Sequence, residues 1–591
     1  TPARGRRPLA GLGTLLRLML RRDRIRLTVW VLGAGLLGFY FAHAIQTIAE
    51  DEEQLRSLAG LYADPIGRMM VGPGFGMDAP THARFYAAGY ALFLYILVAL
   101  MSIFTVVRHT RAEEQTGRAE LLRAGPVGRH ATLAAALLLV TAANLGAAAL
   151  IAAGALTAGY ETEGSLLVAA TSAAVGLLFA GAAAVTAQLS ESSRRASAMA
   201  GGLLGLAYLI RMGGDSAEVG GSALSWASPL GWSQQTAPYV DDLWWPLALL
   251  GGGAVLLALL GFLLSTRRDV GASLLPARLG RAEARPVLGT PLGLAARTLA
   301  GGLRGWGIAL VLAALMFGAY AQSMVDAADS LPEEMAQIFA GEDLMRGYLA
   351  YIALFMGVFV AAAGVGALQQ MRGEEVRGRA EYGLSAPVSR TTWLGAHLTV
   401  IAGGLLLILA LVGAAMGVGA GLSLEVEGWS HFRDLFLAGL LQAPAVLAAV
   451  GIVAALLGWL PRLAGAVGWV LVGFGGVMST FGSLLDLPEA AQDLNLFGHL
   501  AEYPVEEVEW VPVLWLLAIA ALGMLLGLLG WRRREVGRVG GAGRCREVER
   551  AVAAQGVEWA PAGSSSDGFR GEPQERSSLT LRTDTRGPPR P

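Results

Sequence analysis

Two stretches of this chain set paired carboxylates, arginines, a glycine and a proline at one fixed spacing. They read EEQTGRAELLRAGPVGR at 113–129 and EEVRGRAEYGLSAPVSR at 374–390, offset by 261 residues without a gap. Counted from Arg111 and Arg372, ten of nineteen positions are identical. Arginine alone would be the ordinary basic flank of a membrane span, but acidic residues contribute little to orientation. The paired Glu113–Glu114 and Glu374–Glu375, with Glu120 and Glu381, therefore point to a rigid, charge-patterned docking element rather than a solvated loop.

What the chain lacks excludes other chemistry. All 45 basic residues are arginine. A P-loop needs a lysine to reach the terminal phosphates, so any nucleotide hydrolysis must occur on another polypeptide, which would carry the ATP and magnesium. No cofactor is expected on this chain. Its single cysteine, Cys545, excludes an internal disulfide or a thiolate cluster. The seven histidines (43, 82, 109, 130, 397, 431 and 499) show no ligand spacing, so no metal is expected. Abundant Ala, Gly, Leu and Arg without lysine fit a GC-rich, actinobacterial genome.

The elements that position the two stretches are expected to be membrane helices. Hydrophobic residues make up 54% of the chain and charged residues 15%, against about 25% charged in soluble domains. A spanning helix needs about 20 mostly apolar residues. Candidate spans are 27–49, 87–107, 131–157, 165–189, 196–211 and 244–264, then 305–325, 347–368, 393–418, 435–460, 463–484 and 510–530. The first contains an A-x-A match at Ala42-His43-Ala44, but its apolar run exceeds the roughly 7–15 residues of a signal-peptide core, so a retained helix is expected. This predicts an all-α polytopic membrane protein of about 12 transmembrane helices in two tandem six-helix halves. The halves are 1–265 and 291–534, joined by a linker at 266–290 and followed by a disordered tail at 535–591.

Arginine asymmetry sets the orientation. With the N-terminus cytoplasmic, the inner segments up to residue 534 hold 30 Arg and 10 acidic residues. The outer loops then hold 6 Arg and 28 acidic residues. Both termini and both charged stretches are thus placed in the cytoplasm of a multi-pass protein of the bacterial plasma membrane. Six spans per half leave the halves parallel, as repeats about an axis along the membrane normal. Each half opens with an arginine-bearing lead-in, LGTLLRLMLRRDRIRLTVW at 12–30 and LGTPLGLAARTLAGGLRGW at 288–306, expected to lie in the interface.

Within the first charged stretch, the preceding helix is expected to run on to Thr116 and to end at Gly117, which tolerates positive φ. Arg118–Arg123 then form a short turn of helix bearing Leu121. Gly125-Pro126 break it, with Pro126 in the first turn of the next span and Arg129 beyond it. The second copy repeats this with Gly378, Arg379, Glu381, Pro387 and Arg390.

The pattern between the second and third spans resembles the coupling segment of ABC type-2 (ABC-2) permeases, the membrane subunits of ATP-driven exporters. The fused twelve-span form, with SPLGW at 228–232 before YVDDLWWPL at 239–247, is similar to bacterial permeases described as polyketide-antibiotic or multidrug exporters. The resemblance covers about residues 9–534. It implies a type V, ABC-2-like exporter fold with two copies of a cytoplasmic ABC ATPase subunit as partners. It also implies docking through Glu113, Glu114, Arg118 and Glu120, with Glu374, Glu375, Arg379 and Glu381 opposite. The second copy departs at Gly383, where the first has Leu122, and its late loop reads LNLFGH rather than SPLGW.

Aromatic residues recur at helical spacing in the second and eighth spans: Phe85, Tyr86, Tyr90 and Phe93, then Tyr348, Tyr351, Phe355 and Phe359. The resemblance implies a cavity between the halves lined by these spans. Tyr86, Tyr90, Phe93, Tyr348, Tyr351 and Phe355 are its candidate wall for hydrophobic or amphipathic small molecules; packing against neighbouring helices is the plainer reading. Buried Asn144, Gln188 and Gln442 are expected to join helices. No nucleic-acid partner is expected.

Two other readings compete. A proton-coupled secondary carrier needs a titratable group inside the membrane, and the assigned spans hold no Asp or Glu in their cores. A membrane anchor transmitting force to outer proteins would carry a large outer domain, whereas the longest outer loop has about 35 residues. Lipid or glycolipid export fits the same hydrophobic cavity as drug export.

Overall fold

The computed structural model describes residues 8–49, 52–269, 271–275, 282–322, 344–424, 428–481 and 493–534. The tail 535–591, part of the linker and most of the 326–346 loop lie outside the described residues. Among those described the chain is helical, with no β-strand. Eleven helices are long and apolar enough to cross a membrane.

In chain order the first part contains α1 (Leu12–Ile48), α2 (Glu52–Ala63), α3 (Pro65–Val71), α4 (His82–Gln115) and α5 (Arg118–Ala124). It continues with α6 (Ala131–Thr157), α7 (Thr162–Leu189), α8 (Ser193–Ala217), α9 (Pro229–Gln234) and α10 (Pro246–Thr266). The second part contains α11 (Pro291–Ala319), α12 (Leu344–Val376), α13 (Arg379–Leu384) and α14 (Arg390–Ser423). It closes with α15 (Trp429–Trp459), α16 (Ala464–Phe481) and α17 (Trp510–Arg533). The expected span 463–484 corresponds to α16, whose expected end falls outside the described residues.

Sequence chemistry accounts for many of the boundaries. Thr290 and Ser389 cap α11 and α14 by accepting from the backbone N–H of Gly293 and Thr392. Ser228 caps α9 in the same way, with Pro229 in the first turn, where its missing N–H costs nothing. Apolar residues continue through the lead-ins without a breaker. As a result 12–30 is the first part of the 37-residue α1 rather than a separate helix lying in the interface. At about 1.5 Å per residue that helix is nearly twice as long as a hydrocarbon core of about 30 Å. The second lead-in is likewise continuous with α11.

The same helix pairings recur in both parts. The first span packs along the third (α1 with α6, α11 with α14), and the fourth along the sixth (α7 with α10, α15 with α17). Glycine permits these close approaches. A Cβ on Gly318 would sit 2.3 Å from the Met416 carbonyl oxygen, and one on Gly523 would sit 2.5 Å from the Gly451 backbone. Small residues at helix crossings are the usual packing solution in a bilayer, where apolar burial offers no drive for association. The substantial pairings among the described residues all lie within one part or the other.

Candidate functional site

The two charged stretches form the same backbone feature. Gly117 and Gly378 stand at φ 74° and 72°, in the left-handed region. Each turns the chain from a long span into a short helix, α5 or α13. A Cβ at either glycine would meet open space, so backbone conformation alone requires the residue. Pro126 falls in a turn, and α6 starts only at Ala131. The reason is local: the N-terminal segment pairs with this turn, Gly128 and His130 donating to the carbonyls of Ala10 and Pro8 at 2.9 and 3.0 Å. Pro387 also precedes its helix, which begins after the Ser389 cap.

The side chains separate into two faces. Outward stand Arg118, Glu120, Pro126 and Leu121, the last 78% exposed. At the matching positions stand Arg379, Glu381, Pro387 and Tyr382, the last 81% exposed. Leu121 and Tyr382 correspond at the 261 offset, so each elbow presents one large apolar side chain flanked by an arginine and a glutamate. The glutamate pairs face elsewhere. Glu113 is buried and ion-paired with Arg22 of α1. Glu114 accepts both Nη groups of Arg268 at 2.8 and 2.7 Å, and Arg111 Nη1 at 2.9 Å. Glu374 pairs with Arg379 at 2.8 Å. Glu375 is buried and paired with Arg534. Glu113, Glu114 and Glu375 thus hold the elbows to other parts of their own chain, while Glu374 pairs within its elbow.

Two further arginines act on helix ends. Arg129 donates to the carbonyls of Ser265 and Thr266 at the end of α10. Arg390, its counterpart, donates to the carbonyl of Arg534 just past α17. Cations suit these positions because the last carbonyls of a helix lack intrahelical partners and carry partial negative charge. The first elbow has an extra anchor in α1, where buried Asp23 takes a bidentate contact from Arg108 at 2.7 and 2.9 Å and lies 3.0 Å from His109.

The expected aromatic wall divides. Tyr86 is fully buried and packs on Tyr160 within the first part, with ring centroids 5.7 Å apart. It therefore does not line a path between the parts. Tyr348 is also buried, its hydroxyl donating to the Phe317 carbonyl at 2.9 Å. Phe93 is exposed, while Tyr90, Tyr351 and Phe355 are half-buried. Tyr90 stacks on Phe41 at 4.7 Å and Tyr351 on Phe355 at 6.1 Å. Tyr62 of α2 packs on Phe85 with ring centroids 4.4 Å apart. Burial pushes the phenol of Tyr62 up.

A second buried polar centre escaped the sequence reading. Helix α8 runs past the expected end at 211 to Ala217. Arg211 is fully buried, 3.1 Å from Asp215, and donates to the carbonyls of Arg68, Met69 and Met70 in α3. Arg68 in turn donates to the carbonyls of Asp215 and Ser216. Within the acidic loop 50–84, α3 is therefore bound to α8. The i,i+4 spacing of Arg211 and Asp215 was the available signal. Asn144 joins α6 to α4 as expected, donating to Ser102 Oγ at 2.8 Å. Gln188 accepts from Arg268 at 2.7 Å, and Gln442 is buried against Gly357.

These features define a multi-pass helical membrane protein carrying two matched elbows. The family described as "Multidrug efflux system permease Rv1217c, C-terminal domain" matches residues 12–264 and 288–532. The chain belongs to this family of multidrug efflux permeases. It is 35% identical over 545 residues to the multidrug efflux system permease protein Rv1217c of Mycobacterium tuberculosis (strain ATCC 25618 / H37Rv), an alignment covering 90% of this chain and 98% of the relative. The unmatched stretch between the two segments, 265–287, falls on most of the expected linker.

Proposed function

We propose that this chain is the membrane subunit of an ATP-driven exporter of the ABC-2 type. In this reading it crosses the bacterial plasma membrane twelve times in two six-helix halves, 1–265 and 291–534, with both termini cytoplasmic. A separate ATPase subunit, carrying ATP and magnesium, docks on each elbow, and the cargo is hydrophobic or amphipathic and drug-like. The observation that carries the reading is the twin outward face: Arg118, Glu120 and Leu121 against Arg379, Glu381 and Tyr382. Two copies of one surface fit two copies of one partner. The arginine bias supports a cytoplasmic position for both faces, on the side where ATP is. The relative's printed description, a multidrug efflux permease, supports export of drugs. The sparse packing between the two parts, with half-buried Tyr90, Tyr351 and Phe355, supports a cargo path along the seam.

The rival proton-coupled carrier needs a titratable group inside the membrane. The buried carboxylates Asp23 and Asp215 are each engaged by an arginine, Arg108 and Arg211. The test is export from vesicles holding the chain with its co-purified partners. ATP is expected to drive efflux of a hydrophobic dye with the proton gradient collapsed. Efflux that follows the gradient and ignores ATP would overturn the proposal.

A further inference from the structure

Resting on that reading, we infer that Glu114 and Glu375 are positioning residues that carry elbow movement into the fourth and sixth spans of their own half, rather than contacts to the ATPase. The evidence is a clasp built twice. In the first half, Glu114 holds Arg268, two residues beyond α10, through two hydrogen bonds of 2.8 and 2.7 Å. The same guanidinium donates through Nε to Gln188 at the end of α7, at 2.7 Å. In the second half, Glu375 holds Arg534, one residue beyond α17, and that guanidinium donates to the Leu457 carbonyl near the end of α15 at 3.0 Å. Arg129 and Arg390 complete the two clasps by binding the terminal carbonyls of α10 and the Arg534 carbonyl after α17.

The arginines stand 266 residues apart, the offset that also sets Pro238 against Pro504, Trp244 against Trp510 and Pro246 against Pro512 ahead of the last span. The clasp therefore recurs at corresponding positions of the two halves, in its carboxylate and in its arginine. Each clasp joins an elbow to the ends of two spans that pack along one another, α7 with α10 and α15 with α17. Glu114, Arg268, Glu375 and Arg534 are largely withdrawn from solvent, with side-chain exposures of 9, 6, 5 and 16%. Shielding of this kind leaves the charge pairs little screened by salt and strongly directional. A polar cavity of about 30 Å³, lined by Glu114, Arg129, Gln188 and Arg268, adjoins the first clasp. It has room for about one water, so the elbow can shift without stranding a dry charge. Motion imposed on α5 or α13 thus reaches the paired fourth and sixth spans through an arginine bridge.

The test uses the full chain with its co-purified ATPase, reading cargo exported per ATP hydrolysed. E114R is expected to lower that ratio at least tenfold while the ATPase remains bound. Adding R268E, which rebuilds the pair with reversed charges, is expected to restore it to within about threefold. The inference is overturned if E114R releases the ATPase and R268E fails to restore binding, because Glu114 then contacts the partner. Should E114R fail to fold, E114Q and R268Q replace it: the double variant is expected to be no worse than either single one, and fully additive losses count against the clasp. Absence of any ATPase from the unaltered complex instead sinks the proposed function, a separate outcome.

Discussion

Replacing Asp215 by asparagine removes one charge from a buried pair and leaves the other in place. Arg211 has no exposed side-chain surface and Asp215 is 1% exposed. The aspartate also accepts a hydrogen bond from Ser225. Breaking a buried ion pair by deleting one partner costs about 3–5 kcal/mol, because the remaining charge is left uncompensated. Removing both charges with R211M and D215N avoids that penalty but loses the bonds from Arg211 to the carbonyls of Arg68, Met69 and Met70. Contacting pairs of this kind couple by about 0.5–3 kcal/mol. At roughly 2–4 °C per kcal/mol, the scale for domains of about 150–250 residues, the single D215N variant is expected to melt on the order of 6–20 °C lower in detergent. The double variant should cost clearly less than the two single losses summed. Thermal midpoints from fluorescence-detected size exclusion give both quantities. A D215N loss below about 1 kcal/mol, or strict additivity, would refute the reasoning.

Gly117→Ala and Gly378→Ala each force a Cβ into the left-handed region and are expected to cost about 1–2 kcal/mol. Gly373→Ala, on a regular helix with open space around it, should be neutral or slightly stabilising in the same melt. A Cβ on Gly176 would stand 1.8 Å from Asn144 Oδ1, so Gly176→Ala should destabilise strongly and lose less in an Asn144→Ala background. Asn144→Ala alone removes one interhelical hydrogen bond, worth about 0.6 kcal/mol on average in a bilayer, and should shift the midpoint only slightly.

Helix existence was legible because a bilayer demands long apolar runs, and 131–157 coincides with α6. Ends were less legible. The lead-in to α1 contains charges that an apolar-run criterion rejects, yet Asp23 and Arg22 are held by Arg108 and Glu113 of the neighbouring elbow. The same criterion stopped α8 at Arg211, whose charge is met by Asp215 one turn later. Elbow backbone followed directly from Gly117 and Gly378, since glycine alone adopts that conformation without penalty. Side-chain direction did not follow: Glu114 has one partner three residues away, Arg111, but the other, Arg268, lies 154 residues away. Likewise nothing beside Arg268 or Arg534, which follow the last span of each half, points to the specific partners the structure gives them. The aromatic periodicity placed rings on α4 and α12 but could not separate buried Tyr86 from exposed Phe93, between which the helix passes through a π-helical turn at Tyr86–Tyr90.

The central claim is that the twin elbows receive a separate motor, and site-specific cross-linking tests it most directly. In a background with Cys545 replaced by serine, single cysteines at Leu121 and at Tyr382 are joined to their nearest neighbour in membranes containing the natural partners. Both positions are expected to capture a nucleotide-hydrolysing subunit, with a yield that changes when ATP is added. A cysteine at Val255, exposed on α10 far from either elbow in sequence, is expected to capture none. Efflux-competent membranes in which neither elbow captures such a subunit would contradict the account.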